Sequence, residues 1–180
     1  EQEVLGFEDG ALERVVVRPR FVWGKDDTTL LPQIVALVRS GRFAWIGGGG
    51  QLTAITHIEN TVHGLLLAAA RGRPGRVYFV TDGEPVVFRE FLTALLATQG
   101  VAAPSRTVPA RAALALAAAG EAAWRALPLP GAPPVTRFAV WVSSQECTIR
   151  IDRAREELGY EPVRSRADGL AEMHATPRSA

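Results

Sequence analysis

The chain has 180 residues, of which 47% are apolar and 22% charged, with a formal net charge of +1. That is an ordinary globular composition, long enough to bury roughly 70% of the unfolded surface in one real core. Near-neutrality excludes a field that would recruit nucleic acid or an acidic membrane, and the single cysteine, Cys147, excludes a disulfide framework or a multi-cysteine metal site. With no signal peptide and no run of 18 uncharged apolar residues, the expectation is a cytoplasmic protein without an integral membrane span.

The first residues, Glu1-Gln-Glu-Val-Leu-Gly-Phe7, read as the last turns of a helix whose start is missing, with Gly6 near its stop, so the chain is expected to be a fragment. Val15, Val16 and Val17 then form a β-branched run without polar alternation, the pattern of a strand covered on both faces. Pro19 ends that ladder because it has no N–H, and it sends the chain over the strand's carboxyl end, where open α/β sheets bind ligands. Asp26, Asp27 and Thr28 are candidate caps for a helix marked by Leu30, Leu31, Ile34, Val35 and Val38 and stopped by Gly41.

Phe43-Ala-Trp-Ile46 is a short strand candidate, followed by Gly47 to Gly50. A phosphate cradle needs Lys-Ser/Thr or an immediate helix after the glycines; Gln51-Leu-Thr-Ala-Ile-Thr-His supplies neither, so the run is read as a flexible turn. Asn60 is expected to cap a helix from Thr61 to about Arg71, with Val62, Leu65, Leu66 and Ala69 as its apolar face. Val77-Tyr-Phe-Val80 is a second continuous apolar strand, broken by Thr81-Asp-Gly-Glu-Pro85. Phe88, Phe91, Leu92, Leu95 and Leu96 mark the next helix, ended by Gly100. Two buried-type strands separated by helices imply a right-handed parallel crossover.

Beyond residue 100 the texture changes. Pro104, Pro109, Pro128, Pro130, Pro133 and Pro134 bracket an alanine-rich helix over about residues 110 to 127, interrupted by Gly120. Arg111, Glu121, Trp124 and Arg125 on it favour a packed or interfacial helix over a membrane span, and its polar side is too thin and too weakly basic for a membrane-surface helix. Asp152 to Pro162 reads as a short capped helix with Ala154 and Leu158 inward and Gly159 at the stop; Ser165-Arg-Ala-Asp168 resembles a capping box opening a last helix.

Four segments together carry a resemblance: Val17-Arg-Pro-Arg-Phe-Val-Trp-Gly24, Thr56-His-Ile-Glu-Asn60 heading an alanine-rich helix, Tyr78-Phe-Val-Thr-Asp-Gly83, and Ala154-Arg-Glu-Glu-Leu-Gly-Tyr-Glu-Pro162. In their order and spacing they resemble the C-terminal half of the extended short-chain dehydrogenase/reductase family, closest to its 3β-hydroxysteroid dehydrogenase-like branch. The resemblance implies an α/β fold: the last two parallel strands of a Rossmann-type sheet plus a mostly helical substrate-binding subdomain. Residues 11–100 would hold the end of the sheet with interleaved substrate-domain segments, and 101–180 mostly the substrate-binding subdomain. It further implies NAD or NADP as cofactor and a small-molecule substrate, with a homodimer as one arrangement open to the full-length form.

By the same resemblance, Pro19, Arg20, Phe21 and Val22 lie beside the nicotinamide, and Arg20, Phe21 and Trp23 face the substrate; plain core packing is the alternative for Phe21 and Trp23. The family's glycine-rich fingerprint and its Tyr-x-x-x-Lys pair would lie upstream of Glu1, so no catalytic residue is assigned and the chain alone is expected to be inactive. Sugar-nucleotide epimerases and dehydratases commonly carry an arginine where Thr53 stands; a neutral threonine forfeits a bidentate grip on a diphosphate and points to a less charged alcohol or carbonyl substrate. A sugar-nucleotide enzyme and a non-catalytic binding module remain the alternatives. His57 is read as a buried, hydrogen-bonded strand histidine; with His63 on a helix and His174 near the terminus, no metal cluster is expected. Ser143, Ser144 and Cys147 lack any nucleophile-elbow context.

Overall fold

The computed structural model describes residues 3, 6, 13–127, 131, 133 and 135–175. Along the chain run β1 (Val16–Pro19), β2 (Val22–Trp23), α1 (Leu30–Arg39), β3 (Trp45–Ile46), a 3-10 turn (Gly47–Gly49), β4 (Leu52–Thr53), β5 (Thr56–His57), α2 (Ile58–Arg71), β6 (Val77–Val80), β7 (Val86–Val87), α3 (Phe88–Ala97), β8 (Thr107–Val108), α4 (Ala110–Ala126), α5 (Arg137–Ser144), a π-helical turn (Ala154–Leu158) and α6 (Arg166–Ala175). Of the expected opening helix, Glu3 and Gly6 are helical and the rest of Glu1 to Phe7 lies outside the described residues. The fold is mixed α/β with small parallel sheets, divided into two compact units: residues 1–27, 54–86 and 148–180, and residues 28–53 and 87–147.

In the first unit β1 and β6 pair in parallel, in register from Val16 opposite Val77 to Pro19 opposite Val80, and β6 is the only strand neighbour of β1 among the described residues. Side chains alternate across a strand, so Val15 and Val17 share a face. They pack on a core of Ala68, Tyr78, Val80, Ile151, Ala154, Leu158 and Tyr160. Val15, Val16 and Val17 are all half-buried, and Arg18 and Pro19 are exposed, so neither face of the run is fully covered as expected.

Helix α2 lies on β6 with an unexpected face. The residues expected to face inward are exposed, Val62 at 48%, Leu65 at 50% and Leu66 at 66%, while Asn60, Thr61, Gly64 and Ala68 are buried. The cause is close approach: a Cβ on Gly64 would sit 2.7 Å from Val80 Cγ1 and 3.4 Å from Tyr160 Cε2, so only small residues fit between helix and strand. The expected cap is also displaced. His57 is the N-cap, its Nδ1 accepting the Glu59 N–H at 3.2 Å, and Asn60 lies within the first turn. The short helix foreseen at Asp152 takes a π-helical form over Ala154–Leu158, with Ala154 and Leu158 fully buried and Gly159 left-handed at its stop. Its successor α6 opens on the foreseen box: the Asp168 N–H donates to Ser165 Oγ at 3.1 Å, and that hydroxyl lies 2.6 Å from the Asp168 carboxylate.

In the second unit α1 ends as expected. Gly41 has φ 70, its N–H donates to the Val38 carbonyl, and the Arg42 N–H donates to that of Leu37, the paired bonds of a Schellman stop. Its start corrects the expectation, because Thr29 occupies the N-cap position without a side-chain cap bond, while Asp26 adopts a left-handed turn with φ 62. The glycine run forms a turn with positive φ at Gly47, Gly48 and Gly49 and no helix behind it. Beyond it, β3 pairs in parallel with β8, and α3 buries Phe91, Leu92, Leu95 and Leu96. The alanine-rich helix is α4; Ala113 and Ala117 pack on Val140 of α5, and Glu121 binds the Arg137 backbone N–H at 2.8 Å and its guanidinium at 2.7 Å. Pro128, Pro130 and Pro134 lie outside the described residues. Among the described residues no helix is long and apolar enough to cross a membrane.

Candidate functional site

In the first unit the chain leaves the carboxyl end of β1 at Pro19 and turns at once. Phe21 has φ 43, a left-handed conformation that a bulky residue adopts only when its surroundings hold it there. They do so through Thr56, which is fully buried. The Arg20 N–H donates to Thr56 Oγ1 at 3.0 Å, Thr56 Oγ1 lies 2.8 Å from the Arg20 carbonyl, and the Thr56 N–H donates to the Phe21 carbonyl at 3.2 Å. The turn then runs into β2, paired in parallel with β5. Arg18 places its guanidinium 5.2 Å from the Phe79 ring centre. Arg20 Nε is buried with no hydrogen-bond partner.

Trp23 follows, only 2% exposed. Its indole N–H donates to Asp82 Oδ2 at 2.8 Å, and its ring meets His57 edge-on at 4.8 Å. Trp23 packs in the interior, the arrangement of the packing alternative, and a Cβ on Gly169 would come within 2.7 Å of its ring. Asp82 Oδ1 also accepts the His57 N–H and one Asn60 amide proton, both at 2.7 Å. Asn60 is itself saturated, since Nδ2 donates to the Arg164 carbonyl at 2.9 Å and Oδ1 accepts the N–H groups of Val163 and Arg164 at 2.8 Å.

His57 is buried as expected, and burial pushes its pKa down against the opposing pull of Asp82 and Glu59. A neutral ring suits an Nδ1 that accepts a hydrogen bond; the ring proton then sits on Nε2, which is buried without a partner. Glu59 is held below the usual carboxylate range by the two-pronged Arg164 guanidinium, at 2.6 and 3.0 Å.

The structure thus places Pro19 at the end of β1, Arg20 and Phe21 on the turn that follows and Val22 and Trp23 on β2, all in the first unit, while Thr53 lies in the second unit. There Thr53 is 5% exposed, in a parallel bridge with Cys147. The same unit stacks the Arg89 guanidinium 5.2 Å from Trp45, and a Cβ on Gly49 would come within 3.0 Å of both side chains. Thr56 and Asp82 both stand in segments that carry the resemblance, yet sequence reasoning singled out neither as a candidate, reading Thr81-Asp-Gly locally as a strand breaker. No group of three or more metal-binding side chains occurs among the described residues.

Residues 5–111 match the 3-beta hydroxysteroid dehydrogenase/isomerase family. The chain belongs to that family. This family member is 48% identical over 170 residues to a 4-hydroxy-2-methyl-3-oxo-4-farnesyl-3,4-dihydroquinoline-1-oxide ketoreductase of Stigmatella aurantiaca, covering 94% of this chain and 51% of the relative. It is 32% identical to a decarboxylating sterol-4-alpha-carboxylate 3-dehydrogenase of Dictyostelium discoideum, covering 90% of this chain and 50% of that one. The chain spans about half the length of these curated relatives. Among solved structures, the crystal structure of gox2253 superposes with a TM-score of 0.68 at 26% identity, covering 97% of this chain and 52% of that chain. The fold is shared too with DesIV, a dTDP-glucose 4,6-dehydratase of Streptomyces venezuelae, with a TM-score of 0.60 at 23% identity, covering 92% of this chain and 44% of that one.

Proposed function

We propose that this chain is the substrate- and nicotinamide-side portion of an NAD- or NADP-dependent oxidoreductase that interconverts an alcohol and a carbonyl. The observation that carries the reading is the Pro19 to Val22 turn at the carboxyl end of a parallel strand, where open α/β sheets receive ligands. Phe21 is held left-handed there, and Arg20 Nε offers a buried donor with no partner. Such a turn fits a nicotinamide carboxamide, which needs fixed backbone donors and acceptors. The ketoreductase and dehydrogenase names of the relatives support the same chemistry.

When bound, the nicotinamide supplies the hydride transfer. The chain's own part is to orient and enclose. Backbone groups of Pro19 to Val22 face the carboxamide, while Arg20 and Phe21 border the substrate. Trp23, anchored by Asp82, supports the turn from behind. No proton-transfer residue is assigned: neither Tyr78 nor Tyr160 has a lysine four positions on, and burial raises the Tyr160 pKa, which disfavours a phenolate. The isolated chain is therefore inactive on this reading. Thr53, neutral and buried, lends no support to a diphosphate grip, so a sugar-nucleotide substrate is the weaker reading. The test is to express the complete reading frame and follow NADH and NADPH oxidation with 3-oxo substrates and with sugar nucleotides. Turnover of a 3-oxo substrate is expected; turnover of sugar nucleotides alone would overturn the proposal.

A further inference from the structure

We propose that Thr56 is the positioning residue for the nicotinamide-side turn, an inference that rests on the cofactor reading above. Thr56 stands on β5, outside the turn, yet holds it on both sides of the strained peptide. Its Oγ1 accepts the Arg20 N–H at 3.0 Å, ahead of Phe21, and its N–H binds the Phe21 carbonyl at 3.2 Å, behind it. The hydroxyl proton has two carbonyls in reach, Arg20 at 2.8 Å and Val80 at 3.1 Å, and can serve one at a time. The second tethers the turn's clamp to the end of β6. Phe21 at φ 43 relaxes towards common backbone values unless such bonds fix it. A relaxed Phe21 rotates the peptides on either side, the groups that would meet the carboxamide.

Thr56→Val separates shape from hydrogen bonding. Valine has nearly the volume of threonine and keeps the backbone bond to Phe21, but leaves the Arg20 N–H and carbonyl without the hydroxyl. The protein from the complete reading frame is titrated with NADH, with NADPH and with ADP-ribose, which has the adenosine and pyrophosphate but no nicotinamide. Thr56→Val should weaken the preferred dinucleotide about tenfold, the scale of one lost hydrogen bond, and leave ADP-ribose unchanged. Thr56→Ser, which restores the hydroxyl, should recover the affinity. Hydrogen exchange at the Arg20 amide should quicken in Thr56→Val and not in Thr56→Ser.

Equal weakening of NADH and ADP-ribose would mark a general loss of structure and overturn the inference, as would unaltered dinucleotide affinity. If Thr56→Val does not fold, Thr56→Ala, smaller and also without the hydroxyl, is titrated in its place against the same two outcomes. A wild-type protein that binds neither dinucleotide overturns the cofactor reading and this inference together, whereas binding that Thr56→Val leaves untouched overturns the inference alone.

Discussion

Asp82 accepts hydrogen bonds from the Trp23 indole, the His57 backbone and the Asn60 amide, so removing its carboxylate strands three donors at once. Asp82→Ala is expected to cost about 3–5 kcal/mol of unfolding free energy, in line with leaving several partly buried polar groups unsatisfied. Urea unfolding followed by tryptophan fluorescence measures it, and a loss under about 1 kcal/mol would show that water replaces the carboxylate. His57 gives a pH prediction. Its folded-state pKa lies below the ordinary value of 6.5 because of burial. The unfolded chain therefore takes up the proton first as pH falls, and stability is intact above 6.5 and lost below it, until the folded-state pKa is passed. Thermal unfolding between pH 8 and 5 should show this decline, and His57→Asn, which keeps a capping acceptor, should flatten it. His57 was legible as a buried strand histidine. Asp82 was not, because its partners stand 59, 25 and 22 positions away, and no local pattern encodes contacts at such distances.

At the scale of elements, β1 and β6 were readable as a parallel pair because continuous β-branched and aromatic runs have few other uses. Helix α4 and the stop at Gly41 were readable for equally local reasons, an alanine-rich run and a left-handed glycine. Helix α2 shows the limit. Its strongest apolar periodicity lies on the outward stripe of Val62, Leu65 and Leu66, and the inward face is defined by how closely Gly64 and Ala68 let the helix approach β6. Hydrophobic spacing cannot distinguish a small-residue seam from a solvent face. The seam predicts a cost: Gly64→Ala gains helix propensity but forces a methyl against Val80, for a net loss of about 1–2 kcal/mol. The same change at Gly120, where a Cβ meets nothing within 4 Å, should stabilise by roughly 0.5–1 kcal/mol. Denaturant midpoints of the two variants should move in opposite directions.

Over the whole molecule, β1 has one strand neighbour among the described residues, and α2 presents Ile58, Val62, Leu65 and Leu66 to solvent. A contiguous apolar stripe beside a sheet edge favours association. The 180-residue chain alone is expected to elute from size-exclusion chromatography as concentration-dependent oligomers, and Leu66→Glu should shift it towards monomer. A sharp monomer peak at all concentrations would refute this. The architecture was legible as far as each element depends on its own residues, and interleaved segments over residues 11–100 were expected from the resemblance; which stretches join which unit was not legible from local pattern, because it depends on contacts between segments far apart in sequence. That interleaving has a consequence for biosynthesis. The first unit is assembled from three stretches set apart along the chain, and Asn60 gains the Val163 and Arg164 amides, 103 and 104 positions further on, only after the whole second unit has been synthesised. Until then the nascent strands wait unsealed, in the state where a holding chaperone would have most to protect.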